Sequence, residues 1–349
     1  MFLLSICVPT FNRASSLLHL MNDISIIKLN NIDIVEVCIS NNCSDDGTHE
    51  LINQFSQVFD FKYQVLSQNI GASSNFKSVC NMSTAKWILS VGDDDRLEVL
   101  NFNSLLTTLA SLGSNYWVLA NVQSLNCRLL GAIRPGRYNS VQANLLLLFK
   151  NLHIFGFLGT HIIPRVALVE LSRFSPDDLV GWPHLSLLLS HILSLPLFVF
   201  KPVIVYQAPS GSFLFWRYSE WLQISLRKFY CLKQLHPSIF NSIYVIHKLQ
   251  LIRLIFSISF LKEILMWKIL DGTNFRKELP AFCTSIYNNS SIPFICSFFY
   301  RGYVNIVNLI PCSVFGLLGH INPQINEKIK NYQSLKFEMS AWDSNTRKY

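Results

Sequence analysis

Short apolar runs alternate with segments of helical spacing over the first hundred residues, and each apolar run ends in a polar loop. Their length, apolar content and bounding turn residues predict four strands, at 3–9, 35–40, 61–66 and 86–91. Helices are predicted between them, at 14–28, after Gly47 and at 73–82. This alternation predicts a mainly parallel sheet with crossover helices, in which ligands bind beyond the carboxyl ends of the strands. The polar loops are therefore expected to converge.

The fourth predicted strand leads directly into three consecutive aspartates, Asp93, Asp94 and Asp95. Adjacent carboxylates repel one another unless water solvates them or a cation neutralises them. An all-oxygen carboxylate site suits Mg²⁺ or Mn²⁺, and Mg²⁺ is commonly held by one or two carboxylates together with substrate phosphates. The triplet therefore indicates a divalent-metal site, with a solvated acidic turn as the alternative.

Two other loops carry side chains that suit a nucleotide. Residues 9–13, PTFNR, follow the first strand and open a helix, where backbone N–H groups bind anions and Arg13 can add a phosphate contact. Residues 40–48, SNNCSDDGT, suit the edge of a base or a ribose, and Asp45 or Asp46 can cap the next helix. A plain helix start and an ordinary Asx-rich turn are the respective alternatives.

Charge and hydropathy separate the two halves of the chain. Half of the 349 residues are hydrophobic and 14% are charged, which excludes a disordered polymer. Residues 1–200 hold 12 Lys and Arg against 14 Asp and Glu, whereas residues 201–349 hold 17 against 7. The apolar and basic second half favours an anionic membrane surface over nucleic acid. Its apolar runs are interrupted by charges, so we expect peripheral contact and not a span of roughly 20 apolar residues.

The cysteines and the N-terminus indicate a reducing compartment. Nine cysteines, without a C-x-x-C pair, predict free buried thiols. The N-terminal residues lack a basic region and a small-residue cleavage site, so we interpret them as the first strand and not as a signal peptide.

Four segments together resemble the landmarks of the family 2 glycosyltransferases: SICVPTFNR, ISNNCSDDGT, NIGASSNFK and ILSVGDDDRL. Their order and spacing are specific, and the resemblance covers residues 1–120. The shorter segment 179–184, LVGWPH, with the apolar helix predicted after it, resembles bacterial O-antigen transferases of the abequosyltransferase type.

The resemblance implies the GT-A nucleotide-diphosphosugar transferase fold, a mainly parallel sheet with flanking helices. A GT-A domain would occupy residues 1–205, with a nucleotide-binding half (1–120) and an acceptor half (121–205). Residues 206–349 would form a mainly helical, basic region in contact with a membrane.

Site residues carry over by position. The metal motif of the family falls on Asp93, Asp94 and Asp95, which would hold Mg²⁺ or Mn²⁺ on the diphosphate of the nucleotide. The other nucleotide-binding positions fall on three loops: Pro9, Thr10, Asn12 and Arg13; Asn41 and Asn42; Asn69 and Gly71. Many members carry Asp at one or both of the Asn41 and Asn42 positions. A carboxylate only accepts hydrogen bonds, which suits uracil N3–H, whereas asparagine also donates, so cytosine and thymine stay open.

The general base has the weakest sequence signal. The candidates are His184, ranked first because an imidazole titrates near pH 6.5, then Asp178, with Asp177 beside it. A core histidine with a satisfied partner is the alternative for His184, and a helix cap is the alternative for the two aspartates.

The implied activity is that of a glycosyltransferase of EC class 2.4, either a hexosyl- or a deoxyhexosyltransferase. It would move a sugar from a nucleotide-diphosphate donor, with inversion, to a lipid-linked glycan of bacterial O-antigen or lipopolysaccharide. The expected location is the cytoplasmic face of the inner membrane, without a nucleic-acid partner. A non-catalytic, membrane-associated nucleotide-sugar-binding module is the alternative. A nucleotidyltransferase is disfavoured, because residues 9–12 stand where its Gly-rich phosphate loop would be.

Overall fold

The computed structural model describes residues 1–113, 115–123, 133–140, 144, 147, 155–174, 183–192 and 194–206. The chain divides into two compact units, and all of these residues belong to the first. Asp177, Asp178 and the predicted region 206–349, apart from Tyr206, lie outside them, so the predicted domain boundary near residue 205 stays a prediction.

Within the described residues, nine strands form one sheet: β1 (Leu4–Thr10), β2 (Val35–Asn41), β3 (Lys62–Val65), β4 (Trp87–Ser90), β5 (Arg96–Leu97), β6 (Trp117–Gln123), β7 (Gly136–Tyr138), β8 (His161–Pro164) and β9 (Leu197–Tyr206). Five α-helices accompany them: α1 (Ala14–Asn30), α2 (Thr48–Phe55), α3 (Ala72–Met82), α4 (Val99–Ser111) and α5 (Pro183–His191). Two 3₁₀ helices flank β8, at Leu158–Thr160 and Arg165–Arg173.

The sheet order is β3-β2-β1-β4-β8-β6-β9-β5, with β7 also paired to β9. Strands β3, β2, β1 and β4 are parallel neighbours, which confirms the sheet predicted for the first hundred residues. The other half is mixed, because β8 runs antiparallel to both β4 and β6 while β6 and β9 are parallel. The predicted α/β sheet with flanking helices is thus confirmed, and its parallel strands are concentrated in the first hundred residues.

Apolar spacing along α1 explains how this helix covers the sheet. Its buried side chains recur at intervals of three and four residues, at Leu17, Leu20, Met21, Ile24 and Ile27. They share one hydrophobic cluster with the inward-facing residues of β1 and β2. Two charged residues of α1 are also buried, Asp23 and Lys28.

A buried carboxylate ties the strands together at their amino ends. Glu36, on β2, is 4% exposed. It accepts hydrogen bonds from the Ser5 hydroxyl and from the Thr84 N–H and hydroxyl, both at 2.7 Å, and pairs with Lys62 Nζ at 2.6 Å. Burial would raise the pKa of Glu36, but the hydrogen bonds from Lys62, Ser5 and Thr84 outweigh it and lower the pKa to about 2.

Two further predictions concern cysteines and membrane spans. Cys7, Cys38 and Cys80 are free and buried, as expected, whereas Cys43 is free but exposed because it lies in the loop after β2. In the part of the chain described here, the helices are too short or too polar to cross a membrane.

Candidate functional site

The loops after β1 and β2 are joined by hydrogen bonds at the carboxyl edge of the sheet. The Asn12 N–H donates to Ser44 Oγ at 2.9 Å, and the Asp45 N–H donates to Asn12 Oδ1 at 3.0 Å. Asp46 accepts from the first N–H group of two helices, from Ala14 at 3.0 Å and from Thr48 at 3.2 Å. The N-cap residue of α2 is Gly47, so Asp46 supplies the predicted contact from one position earlier in the chain, and it also fixes the start of α1.

The turn after β4 contacts the same loops. Asp93 Oδ2 accepts from the Phe11 N–H at 3.3 Å, and Arg13 Nη1 donates to Asp94 Oδ2 at 2.6 Å. Asp95 is buried, and its N–H closes the turn on the Gly92 carbonyl at 3.1 Å. The first loop and the aspartate triplet, which lie about 80 residues apart in the sequence, thus form one site, as the parallel topology predicts.

The loop between β3 and α3 completes this edge. Asn42 Nδ2 donates to Asn69 Oδ1 at 2.8 Å, while Asn42 Oδ1 accepts from the Ile70 N–H at 2.9 Å. Gly71 follows with φ +83°, a left-handed conformation that favours glycine. The predicted Asn-x-Gly turn is present and is held against the second loop.

Asn41 and Asn42 are both buried, which changes what their side chains can do. Asn41 Oδ1 accepts from the Ser44 N–H at 2.9 Å, and its Nδ2 donates to the Tyr63 hydroxyl at 3.2 Å. The two carboxamides therefore hold the loops in shape, because loop N–H groups must find acceptors when they are buried. Their predicted contact with the base stays a prediction.

Three residues next to these loops were not predicted from the sequence: Asn75, Tyr63 and His49. Asn75, on α3, is buried and donates to the Ser40 carbonyl at 3.1 Å while accepting from the Ser40 hydroxyl at 2.6 Å. Tyr63 carries a hydroxyl 2.9 Å from His49 Nδ1, and the two rings stack with centroids 5.7 Å apart. The one signal for them in the sequence was that each is a polar residue near the carboxyl end of a strand or the start of a helix.

The acidic turn is a cluster of carboxylates that a positive charge would stabilise. Burial raises the pKa of Asp93 to about 6, with Arg13 opposing this rise and Asp94 adding to it. The neighbouring Thr10 hydroxyl is buried and lowers that pKa. The site therefore holds a carboxylate that is destabilised in its charged form.

The turn fits a divalent cation only if the ligand supplies further oxygens. Among the described residues, no three His, Cys, Asp or Glu side chains are grouped so that they alone could hold a metal ion. A Cβ at Gly92 would stand 2.9 Å from Asp95 Oδ2 and 3.1 Å from Asp94 Oδ1, so these two oxygens face one point. Mg²⁺ is usually bound by one or two carboxylates plus phosphates. The residues fit such a cation, and the role of the three aspartates as its ligands stays a prediction.

His184 is in an unfavourable position for a general base. It is buried on α5, its Nε2 donates to the Phe155 carbonyl at 3.1 Å, and its ring lies against Phe76. The ring of His161 is 4.7 Å away and donates to the same carbonyl. Trp117 donates in turn to His161 Nδ1 at 3.1 Å, and burial lowers the pKa of His161 to about 4. This arrangement favours the alternative interpretation of His184 as a core histidine.

The other predicted base, Asp178, lies outside the described residues, as does Asp177. The loops predicted to bind the nucleotide thus meet at one edge of the sheet, while the roles of Asp177 and Asp178 stay predictions.

Residues 5–123 match the family described as glycosyl transferase family 2. The predicted resemblance is confirmed. The chain is also 26% identical over 231 residues to the abequosyltransferase RfbV of Salmonella typhimurium, covering 60% of this chain and 68% of that protein.

Solved structures support the predicted GT-A fold. TarS 1–349 of S. aureus in complex with UDP-GlcNAc is similar with a TM-score of 0.60 and 14% identity, covering 88% of this chain and 89% of that one. Its complex with UDP gives a TM-score of 0.59 at 14% identity over the same shares. Identities this low show the fold alone.

Proposed function

We propose that this chain is a metal-dependent glycosyltransferase that moves a sugar from a nucleotide-diphosphate donor to a glycan acceptor. The observation that carries the proposal is the interlocking of three loops and the aspartate turn at the carboxyl edge of the parallel strands. Arg13–Asp94, Phe11–Asp93 and Asn12–Ser44 are its defining contacts. This edge is where ligands bind in sheets of this kind.

The first loop and the start of α1 would receive the diphosphate. Backbone N–H groups at a helix N-terminus favour anions, and Arg13 stands beside them with its guanidinium on Asp94. The buried Thr10 hydroxyl beside Asp93 would add a hydrogen bond. Asn12, with the second and third loops, would form the wall against the nucleoside, with Asn41, Asn42 and Asn69 holding its shape. TarS binds UDP and UDP-GlcNAc, which supports a nucleotide-sugar donor but leaves the base of this chain's donor open.

Asp93, Asp94 and Asp95 would hold Mg²⁺ or Mn²⁺. When bound, the cation would neutralise negative charge that develops on the leaving diphosphate. The side chains of the turn are already oriented by Arg13 and Phe11, so little rearrangement is needed to receive it. Arg13, beside the start of α1, would add a positive charge for the phosphates.

An inverting transfer also needs a base for the acceptor hydroxyl, a contribution of about 10²–10⁴ in rate. We propose Asp178 for this role in preference to His184, since a base must reach the acceptor and His184 is enclosed by Phe76, His161 and the Phe155 carbonyl.

The similarity to abequosyltransferase RfbV supports a role in O-antigen assembly, with a deoxyhexose or hexose as the transferred sugar. The acceptor would be a lipid-linked saccharide at the cytoplasmic face of the inner membrane. The basic residues 201–349 would provide electrostatic contact with that surface.

A thermal-shift panel tests the proposal. UDP, CDP, GDP and dTDP are each added with and without Mn²⁺, and one of them should raise the unfolding midpoint only when the metal is present. Asp95→Asn should abolish that shift, while the exposed Asp33→Asn should keep it. Stabilisation by none of the four would refute a nucleotide site, and binding without sugar transfer to any acceptor would favour the non-catalytic binding module.

A further inference from the structure

A buried carboxylate in the middle of α1 has no role in the mechanism above. Asp23 is 5% exposed and lies on the apolar face of the helix. It accepts three hydrogen bonds: from Arg96 Nε and Nη2, both at 2.6 Å, and from the Leu97 N–H at 3.0 Å. All three donors belong to β5, which begins immediately after Asp95.

Strand β5 is therefore fixed on two sides. Asp23 holds it to α1, while β9 pairs with it in antiparallel register and the Glu98 N–H donates to the Ile204 carbonyl at 2.8 Å. On the other side of the turn, the Val91 N–H donates to the Cys7 carbonyl at 3.0 Å. The four residues 92–95 thus bridge two anchored points.

Helix α1 contacts this acidic segment at two places. Arg13, just before its first turn, binds Asp94, and Asp23, ten residues later, binds β5. Ten residues of α-helix span about 15 Å, and a helix is a rigid spacer over that length. The helix therefore sets the distance between the first loop and the far end of the aspartate turn.

Stability alone does not account for the pair. The Arg96 side chain is 48% exposed, so solvent screens part of the ion pair and reduces what it contributes to stability. An apolar residue at position 23 would continue the buried face of α1 without the desolvation of a carboxylate. What the bidentate pair provides instead is a fixed orientation, because two parallel N–H···O bonds define a plane as well as a distance.

We infer that Asp23 is a positioning residue for the metal-binding turn: through Arg96 and Leu97 it holds Asp93, Asp94 and Asp95 in the geometry that receives the cation. This inference rests on the proposed function. Residues that orient metal ligands typically change metal affinity roughly 10–100-fold when substituted. Asp23 acts on affinity for the metal and not on the reacting atoms.

The test is a Mn²⁺ titration followed by electron paramagnetic resonance, with UDP, CDP, GDP and dTDP supplied in turn. Asp23→Asn should raise the Mn²⁺ concentration for half-maximal binding about 10-fold or more. Transfer at saturating Mn²⁺ should recover most of the wild-type kcat. Arg96→Lys keeps the charge but loses the fork of donors, so it should shift the metal requirement in the same direction. Because Arg96 is half-exposed, this second variant decides the matter if Asp23→Asn does not fold.

Glu36→Gln is the matched control, since it too removes a buried, ion-paired carboxylate but at the amino ends of the strands. It should lower stability without changing the Mn²⁺ requirement. An unchanged Mn²⁺ requirement in Asp23→Asn and Arg96→Lys, or an equal change in Glu36→Gln, would overturn the inference. Failure of the wild-type protein to bind Mn²⁺ with any of the four nucleotides would instead refute the proposed function.

Discussion

Replacing Glu36 with glutamine removes the charge that joins β1, β2, β3 and the segment before β4. The Glu36 carboxylate is 4% exposed and accepts from Ser5, from Thr84 twice and from Lys62. Its pKa falls from 4.5 to about 2 on folding. At 1.36 kcal/mol per pKa unit, this difference corresponds to about 3 kcal/mol of folding free energy at pH 7.

The pH dependence has a defined direction. Because the pKa in the folded protein is the lower one, the stabilisation is complete above the unfolded value near 4.5 and is lost as pH falls through the folded value near 2. Glu36→Gln should therefore be less stable than wild type by about 3 kcal/mol at pH 7. The deficit should shrink below about pH 5, because wild type then loses the same contribution.

Urea unfolding at a series of pH values, followed by tryptophan fluorescence, measures both features. The exposed Glu50→Gln should stay within about 0.5 kcal/mol of wild type throughout. A deficit in Glu36→Gln that stays constant between pH 7 and the lowest pH at which wild type is folded would refute the linkage argument. So would a deficit below about 1 kcal/mol at pH 7.

Further predictions concern the carboxyl edge of the sheet and the buried histidines. Gly71→Ala should lower the free energy of unfolding by about 1–3 kcal/mol in urea titrations, because φ is +83° and ψ is 157°, a conformation open almost only to glycine. Asn75→Ala should cost a similar amount, about 1–3 kcal/mol, since it removes the hydrogen bonds that Asn75 makes with the buried Ser40 carbonyl and hydroxyl. Gly92→Ala should weaken Mn²⁺-dependent nucleotide binding in calorimetry while the fold persists by circular dichroism, because its Cβ would meet carboxylate oxygens at 2.9 and 3.1 Å. His184→Phe should lower the thermal unfolding midpoint yet retain kcat in the folded fraction, whereas a loss of about 10²-fold or more in kcat with unchanged stability would identify His184 as the base.

The first four strands and the convergence of their loops could be predicted from the sequence, because the signals are local. Each strand is a short apolar run that ends at a turn residue, and parallel pairing follows from the helices between them. Strand β8 could not be predicted in this way. Its four residues, HIIP, carry no periodicity, and they pair with β4 more than 70 residues earlier in the chain.

The candidate site shows a second limit. From the sequence, Asn41 and Asn42 are predicted to be free carboxamides in a polar loop. In the structure, however, the N–H groups of Ser44 and Ile70 donate to their side-chain oxygens. Backbone groups without sheet partners occupy some polar side chains and so decide which ones remain available to a ligand. The sequence does not show which backbone groups these are. Asp23 did leave a signal, since a charge on the buried side of a predicted helix requires a partner, but the sequence alone does not name Arg96.

Two buried carboxylates thus hold different segments of the fold. Glu36, at the amino ends of the parallel strands, accepts from three segments that share the hydrophobic core, so its loss should be felt by the whole sheet. Among the described residues, Asp23 on α1 accepts hydrogen bonds only from β5, which is two residues long and directly follows the aspartate turn. A short strand contributes little to the core but transmits any displacement to its neighbour in the chain. We therefore expect substitution of Glu36 to lower mainly the stability and substitution of Asp23 to lower mainly the metal affinity, although each residue is a buried acid paired with a half-exposed base.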